Sequence, residues 1–273
     1  MATRSVSGLA IFGITGRMGQ SIVRALREES RPASALCLSG ALASSASACL
    51  GRDAAIEGAP TQVKITADPA VALESAAVAV DFSLPQCLAA HARACVEARV
   101  PLLVGTTGFD AASRALLESA ARSIPILIAP NTSVGVAVLK QLVASATAAL
   151  GSGYDVEISE AHHRTKRDAP SGTALALGEA AAEARGETLD QVAVFDRHGT
   201  LAARKPGSIG FAVVRAGDIV GEHTVTFAAA GERIELTHRA TDRITFARGA
   251  LRAAEWLIGR PAALYGMQHV LGL

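Results

Sequence analysis

The chain has 273 residues, half of them apolar and only 4% aromatic, with 26 basic against 25 acidic side chains. So even a charge balance excludes a global field that would draw the protein onto nucleic acid or an anionic membrane. An aliphatic, aromatic-poor supply suits helices packed on a parallel sheet, and the length allows one large domain or two modest ones.

Met1–Ser7 is too short and polar for a signal peptide, and no apolar stretch approaches the roughly 20 residues needed to cross a bilayer. Gly8–Phe12 reads as an aliphatic strand, followed by helical spacing over Met18–Glu29 and a second strand at Ala35–Leu38. Ala41–Cys49 is a small-residue tract, read as loop or a frayed helix. Strands at Val78–Phe82, Pro101–Val104 and Ile124–Ala129 then alternate with helices at Gln86–Ala98 and Asp110–Arg122. Strict alternation predicts βαβ units and a Rossmann-like, doubly wound parallel sheet. Four of these strands run directly into loops of Gly, Ser, Thr or Asn: Gly13–Gly16, Ser83, Gly105–Gly108 and Pro130–Ser133. Such loops gather at the carboxyl edge of the sheet, where nucleotides bind.

A helix over Val136–Leu150 leads into a different pattern. Asp155–Ala161 is a strand and Gly172–Arg185 an Ala-rich helix. Ile209–Arg215, Val220–Phe227 and Glu232–His238 read as strands joined by Gly-containing turns, with antiparallel pairing across a tight turn. A last helix, Phe246–Ile258, returns to the first domain. The expected architecture is therefore α/β: a dinucleotide-binding domain of residues 1–133 and 243–273, and a second α+β domain of residues 134–242 with a mixed, mostly antiparallel sheet.

The cysteines at 37, 49, 87 and 95 form no CxxC pair, and no His stands at zinc-ligand spacing. Cys37, Cys87 and Cys95 lie among apolar neighbours and are expected as buried free thiols, which suits a reducing cytoplasm.

Two segments carry chemistry. Gly13-Ile14-Thr15-Gly16-Arg17-Met18-Gly19 follows the first strand and opens the first helix. Glycines there allow a sharp turn and close approach to a pyrophosphate, which the helix N-terminus then holds. The end of the second strand, Leu38–Ser45, has no Asp or Glu to repel a 2′-phosphate and no Arg to attract one, although Arg17 in the glycine loop is placed to reach that phosphate. This favours NADPH, or use of both NADPH and NADH.

The second segment is Glu160-Ala161-His162-His163-Arg164-Thr165-Lys166-Arg167-Asp168-Ala169-Pro170-Ser171-Gly172-Thr173. Basic side chains beside the N–H groups of Gly172 and Thr173 make an anion site, and a histidine there exchanges a proton near neutral pH. Bland readings stand beside this one. The basic run is a solvated face, Ser171 a helix cap, and Arg215–His223 a hairpin with its turn. The paired histidines lack a third ligand at useful spacing, so no metal is expected.

The second segment resembles the E-x-H-H-x-x-K-x-D-x-P-S-G-T-A signature of the 4-hydroxy-tetrahydrodipicolinate reductases, formerly called dihydrodipicolinate reductases. Gly13–Gly19, Asp81-Phe82-Ser83, Gly105-Thr106-Thr107-Gly108, Ala129–Val136 and Arg215–His223 are similar to other segments of that family, in its order and over essentially the whole chain. The resemblance implies NAD(P)H-dependent reduction of 4-hydroxy-tetrahydrodipicolinate to tetrahydrodipicolinate, with loss of water, on the way to diaminopimelate and lysine. It implies His162 as acid/base residue and Lys166 as second proton donor, with His163, Gly172 and Thr173 on the substrate carboxylates. Gly13, Ile14, Thr15, Gly16, Arg17, Met18, Gly105, Thr106, Thr107, Ala129, Pro130, Asn131 and Thr132 match the cofactor loops. The family implies a homotetramer joined through the second domains' sheets. Ala43 and Ser44 depart from the acidic and basic residues frequent there, and Thr132 stands where Phe is frequent. Two alternatives remain: another two-domain NAD(P) oxidoreductase of amino acid metabolism, or a non-catalytic NADPH-binding sensor.

Overall fold

The computed structural model describes residues 6–28, 36–199 and 202–273. The chain divides into two compact units, Met1–Val134 with Ile244–Leu273, and Gly135–Arg243.

The first unit is built on β1 (Ser7–Phe12), α1 (Arg17–Leu26), β2 (Leu36–Leu42), β3 (Ile65–Thr66), α2 (Pro69–Leu73), β4 (Val78–Asp81), α3 (Leu88–Ala98), β5 (Leu102–Val104), α4 (Ala111–Ala120) and β6 (Ile126–Ile128). Every strand pairing is parallel, and with β12 (Leu264–Tyr265) the sheet runs β12-β6-β5-β4-β1-β2-β3. The order reverses between β1 and β4, which opens the crevice where a nucleotide lies in such sheets. Leu9, Ala10, Ile11 and Phe12 are fully buried, as are Val78, Ala79 and Val80, because helices cover both faces. The predicted strand start at Ala35 and helix end at Glu29 lie outside the described residues. Ala41 and Leu42 belong to β2, and the rest of the small-residue tract is loop and turns.

α5 (Val134–Leu150) leads into the second unit, with β7 (Asp155–His162), α6 (Gly172–Ala184), α7 (Leu189–Val192), β8 (Ala193–Val194), β9 (Ile209–Arg215), β10 (Gly221–Ala229) and β11 (Glu232–Ala240). The chain closes with α8 (Ile244–Leu257), β12 and α9 (Met267–Leu271). The second sheet runs β11-β10-β7-β9-β8, and β7 sits between an antiparallel neighbour, β10, and a parallel one, β9. The β10–β11 pair turns at Gly231, whose φ of 87° is open to glycine at little cost. Arg215–His223 is not a hairpin, however. β7 lies between β9 and β10, and takes its inward Val156 and Ile158 into the core with Ile209 on one side and Val225 and Phe227 on the other.

Two further expectations are corrected. Val134–Gly153 is a 20-residue helical stretch, long and apolar enough by length and composition to span a bilayer. The polar Lys140, Gln141, Ser145 and Thr147 disguised it in the sequence. Leu139 and Val143, one turn apart, seat this helix on the second core. Cys37 is exposed rather than buried, because β3 is too short to cover the first half of β2. Cys95 is buried, Cys49 and Cys87 are half-buried, and all four thiols are free.

Candidate active site

In the first unit the glycine loop is held from several sides. Gly13 has φ 80°, and its N–H and that of Ile14 donate to the Leu42 carbonyl. A Cβ on Gly13 would stand 2.7 Å from the Phe82 carbonyl oxygen, so the loop lies directly against the end of β4. The Gln20 amide donates to the carbonyls of Ile14 and Ala54, pinning the loop from behind. Gly16 caps α1 without a side-chain hydrogen bond, and the first turn carries no acidic residue. Backbone that turns this tightly, with a helix N-terminus lacking any carboxylate, fits a cofactor pyrophosphate. Thr15, Gly16 and Arg17 are exposed, Met18 is half-buried, and a cleft of about 620 Å³ beside them carries Arg17, Arg24 and Arg27.

Asp81, at the end of β4, stood in the sequence only as part of the family-like segment Asp81-Phe82-Ser83, with no role of its own. It is completely buried and accepts hydrogen bonds from the Ser83 N–H at 2.8 Å and the Thr106 hydroxyl at 3.1 Å, with His91 Nδ1 at 2.7 Å. Its carbonyl accepts from the N–H groups of Gly105 and Thr106. One carboxylate therefore shapes the loops after both β4 and β5. Thr107 is exposed beyond them. In the loop after β6, Ala129 N–H donates to Val104, Asn131 Oδ1 accepts from Ser133 N–H, and the Thr132 hydroxyl donates to the Phe246 carbonyl. Pro130 is exposed. A Cβ on Gly249 would fall 1.8 Å from the Thr132 oxygen, so α8 needs a glycine to pass this loop.

In the second unit the inward face of β7 changes from apolar to polar at its carboxyl end. Val156 and Ile158 are followed at the same spacing by Glu160, 3% exposed, and His162, 8% exposed. The sharpest geometry is around the Glu160 carboxylate. Arg215, the last residue of β9, grips both its oxygens at 2.7 and 2.8 Å. His162 Nδ1 lies 2.6 Å from Oε2, and the Ser171 N–H donates to Oε1 at 2.9 Å. Burial opposes ionisation of Glu160, but the bonds from Arg215, His162 and Ser171 outweigh it and hold its carboxyl below the usual range. Burial lowers the His162 imidazole below its ordinary value, with Lys166 and Arg215 adding to the effect and Glu160 opposing it.

Of the residues predicted from sequence, His162 is thus built into a network. Lys166 follows in the β7–α6 loop, where its ammonium pairs with Asp168 at 2.8 Å. His163 Nδ1 lies 2.8 Å from the Thr165 hydroxyl. Ser171 caps α6, accepting from the Ala174 N–H, so the cap reading holds. Gly172 is exposed with open space around its missing Cβ, and Thr173 is half-buried beside it. Glu160, Arg215 and His223 stood inside segments that resemble the family, but sequence reasoning gave them no role in the site. The available signal was the alternation of β7, which places a carboxylate on the buried face. Among the described residues, no group of three or more His, Cys, Asp or Glu is placed to hold a metal ion.

Both halves of the chain match models of one family, described as dihydrodipicolinate reductase, N-terminus (residues 7–132) and C-terminus (residues 135–271). The chain belongs to the dihydrodipicolinate reductase family. It is 49% identical over 266 residues to the 4-hydroxy-tetrahydrodipicolinate reductase of Thiobacillus denitrificans, covering 97% of this chain and 98% of that one. The enzyme of the same name from Anaeromyxobacter dehalogenans strain 2CP-1 is 48% identical over 267 residues, covering 97% of each. The dipicolinate-bound dihydrodipicolinate reductase of Paenisporosarcina sp. TG-14 shares the fold, with a TM-score of 0.73 at 23% identity, over 97% of this chain and 99% of that one. The chain is accordingly an oxidoreductase that uses NAD(P)H to reduce 4-hydroxy-tetrahydrodipicolinate in diaminopimelate and lysine biosynthesis. A full-length match of this kind does not favour the other dehydrogenase or the sensor.

Proposed function

We propose that His162 is the acid/base group of this dihydrodipicolinate reductase and Lys166 its second proton donor, on a dicarboxylate held by His163, Gly172 and Thr173. The reaction adds a hydride and a proton to the ring and releases water. NAD(P)H, when bound, supplies the hydride from nicotinamide C4. The single observation that carries the assignment is the 2.6 Å contact of His162 Nδ1 with Glu160, which leaves Nε2 as the atom that exchanges a proton. The Lys166 ammonium and the α6 N-terminus bring positive charge to the same loop, as a substrate bearing carboxylates requires.

On the first unit, Gly13, Ile14, Thr15, Gly16, Arg17 and Met18 hold the cofactor together with Gly105, Thr106, Thr107, Ala129, Pro130, Asn131 and Thr132. NADPH is the preferred form. The end of β2 through Ser45 contains no carboxylate, and Arg17 lies on an arginine-bearing cleft beside the glycine loop. The enzyme works as a homotetramer in the cytoplasm. Support for the tetramer comes from the second sheet's uncovered face, where Ser159, Ala161, Ala212 and Thr224 are small enough for another sheet to approach. Four free thiols suit the compartment.

The test is oxidation of NADPH and of NADH by the purified protein, with substrate generated in situ from pyruvate and aspartate semialdehyde by the preceding synthase. Synthase-dependent oxidation in the native protein, lost in His162→Gln and strongly reduced in Lys166→Ala, is the expected result. Near-native kcat in both variants would reject the residue assignment, and equal use of the two cofactors would reject the NADPH preference.

A further inference from the structure

We infer that Glu160, clamped by Arg215 and the Ser171 N–H, is a positioning residue that fixes His162 as the Nδ1–H tautomer and confines its proton exchange to Nε2. The inference rests on His162 being the acid/base group and goes one step behind it.

A carboxylate offers about four lone-pair sites on its two oxygens. At Glu160 all four are engaged by donors: two from Arg215, one from Ser171 and one from His162. The guanidinium is always protonated and the Ser171 N–H cannot be anything but a donor, so the carboxylate is held as an anion that only accepts. His162 Nδ1 must therefore carry the proton in that contact. The remaining ring nitrogen, Nε2, is bare in the neutral imidazole and gains or gives up the exchangeable proton. Its surroundings agree, since a Cβ on Gly221 would stand 3.1 Å from Nε2 and 3.4 Å from the adjacent ring carbon. The glycine at the start of β10 keeps the exchanging atom uncrowded.

The charged and titratable groups facing His162 come from four elements: Glu160 on its own strand, Lys166 in the following loop, Arg215 at the end of β9, and His223 on β10, whose ring centre is 5.1 Å away. Glu160 favours the imidazolium, whereas Arg215 and Lys166 disfavour it. Arg215 thus does two jobs. It satisfies the buried carboxylate, and it stops that carboxylate from stabilising imidazolium so strongly that the proton is never released.

Two measurements test this. The first uses native protein labelled with 15N-histidine, with His162 assigned by its loss in His162→Gln. In the neutral range the Nδ1 signal is expected at the protonated position and Nε2 at the bare one; a mixture of tautomers, or the reverse, overturns the inference. The second compares pH–rate profiles. In Glu160→Gln, the apparent pKa of kcat/KM falls and kcat drops roughly ten- to a hundredfold, part of what a positioned acid/base contributes. In Arg215→Met the same apparent pKa rises. Opposite shifts from two contacting residues are not produced by general loosening. Unchanged profiles in both folded variants, or shifts in one direction, overturn the inference, and if neither variant folds the native spectrum decides it. Near-native kcat in His162→Gln is a different failure, that of the acid/base assignment itself.

Discussion

His223 Nε2 lies 3.0 Å from the Ser171 hydroxyl, joining β10 to the cap of α6 across the floor of the site. The imidazole is 4% exposed, and burial, reinforced by the charge of His162, lowers its pKa to about 4. The unfolded chain, with an ordinary value near 6.5, binds the proton first. Stability tied to His223 is therefore full above pH 6.5 and declines as pH falls toward 4. At about pH 5 the loss amounts to roughly 2 kcal/mol, with His162 and His238 shifted in the same direction. Urea midpoints between about pH 7 and pH 5 are expected to fall less in His223→Gln than in the native protein. Parallel curves would contradict this account.

Gly221→Ala places a methyl carbon 3.1 Å from His162 Nε2, closer than either group tolerates without moving. Because Gly221 is a strand residue with no left-handed backbone angle, the fold is expected to persist. The imidazole shifts instead, and kcat falls roughly tenfold or more while the thermal midpoint changes little, since small misplacements of a reacting group are costly. A kcat within about twofold of native would show that the ring has room to spare.

Asp81→Asn replaces one accepting oxygen with a donor that faces either the Ser83 N–H and Thr106 hydroxyl or His91. Leaving a buried donor unmatched costs about 1–3 kcal/mol. The two loops shaped by Asp81 lose their register together, so cofactor dissociation constants are expected to rise for NADPH and NADH alike. Titration by nucleotide fluorescence reads this directly. Weaker substrate binding with unchanged cofactor affinity would place Asp81 elsewhere in the mechanism.

Arg17→Ala separates the two cofactors. Removing one charge-assisted contact to a phosphate costs about 1.5–3 kcal/mol, so the KM for NADPH is expected to rise roughly tenfold or more. The KM for NADH changes far less. Equal effects on both would assign Arg17 to the shared pyrophosphate.

Much of the fold was legible because each buried parallel strand reads as an aliphatic run, as Leu9–Phe12 and Val78–Val80 do. β3 and β12 were not, since two residues cannot display a period. The Arg215–His223 segment misled for another reason. Gly217 and Asp218 have the composition of a hairpin turn, yet neighbours in sequence need not be neighbours in a sheet, and β7 takes the place between them. At the site, His162 and Lys166 stood out as dense basic chemistry. Glu160 stood at the head of the same segment, but nothing in that run assigns it a partner. Only the alternation with Val156 and Ile158 marks it as inward, and only the folded chain brings Arg215 to it. Asp81 was hidden likewise at the end of an aliphatic strand, its partners Thr106 and His91 supplied by other elements.

β7 has one further consequence through its two unlike neighbours. Glu160 meets Arg215 at a separation of 55 residues, and Ser171 meets His223 at 52. Contacts of such high order form late in folding, after local helices and turns, because closing long loops is entropically costly. A nascent or partly opened second domain therefore holds His162 beside a Glu160 that Arg215 has not yet clamped, and the tautomer of the imidazole is then not fixed. Catalytic competence becomes a readout of completed β7 pairing, and a chain that turns over substrate has, by that fact, finished assembling its sheet.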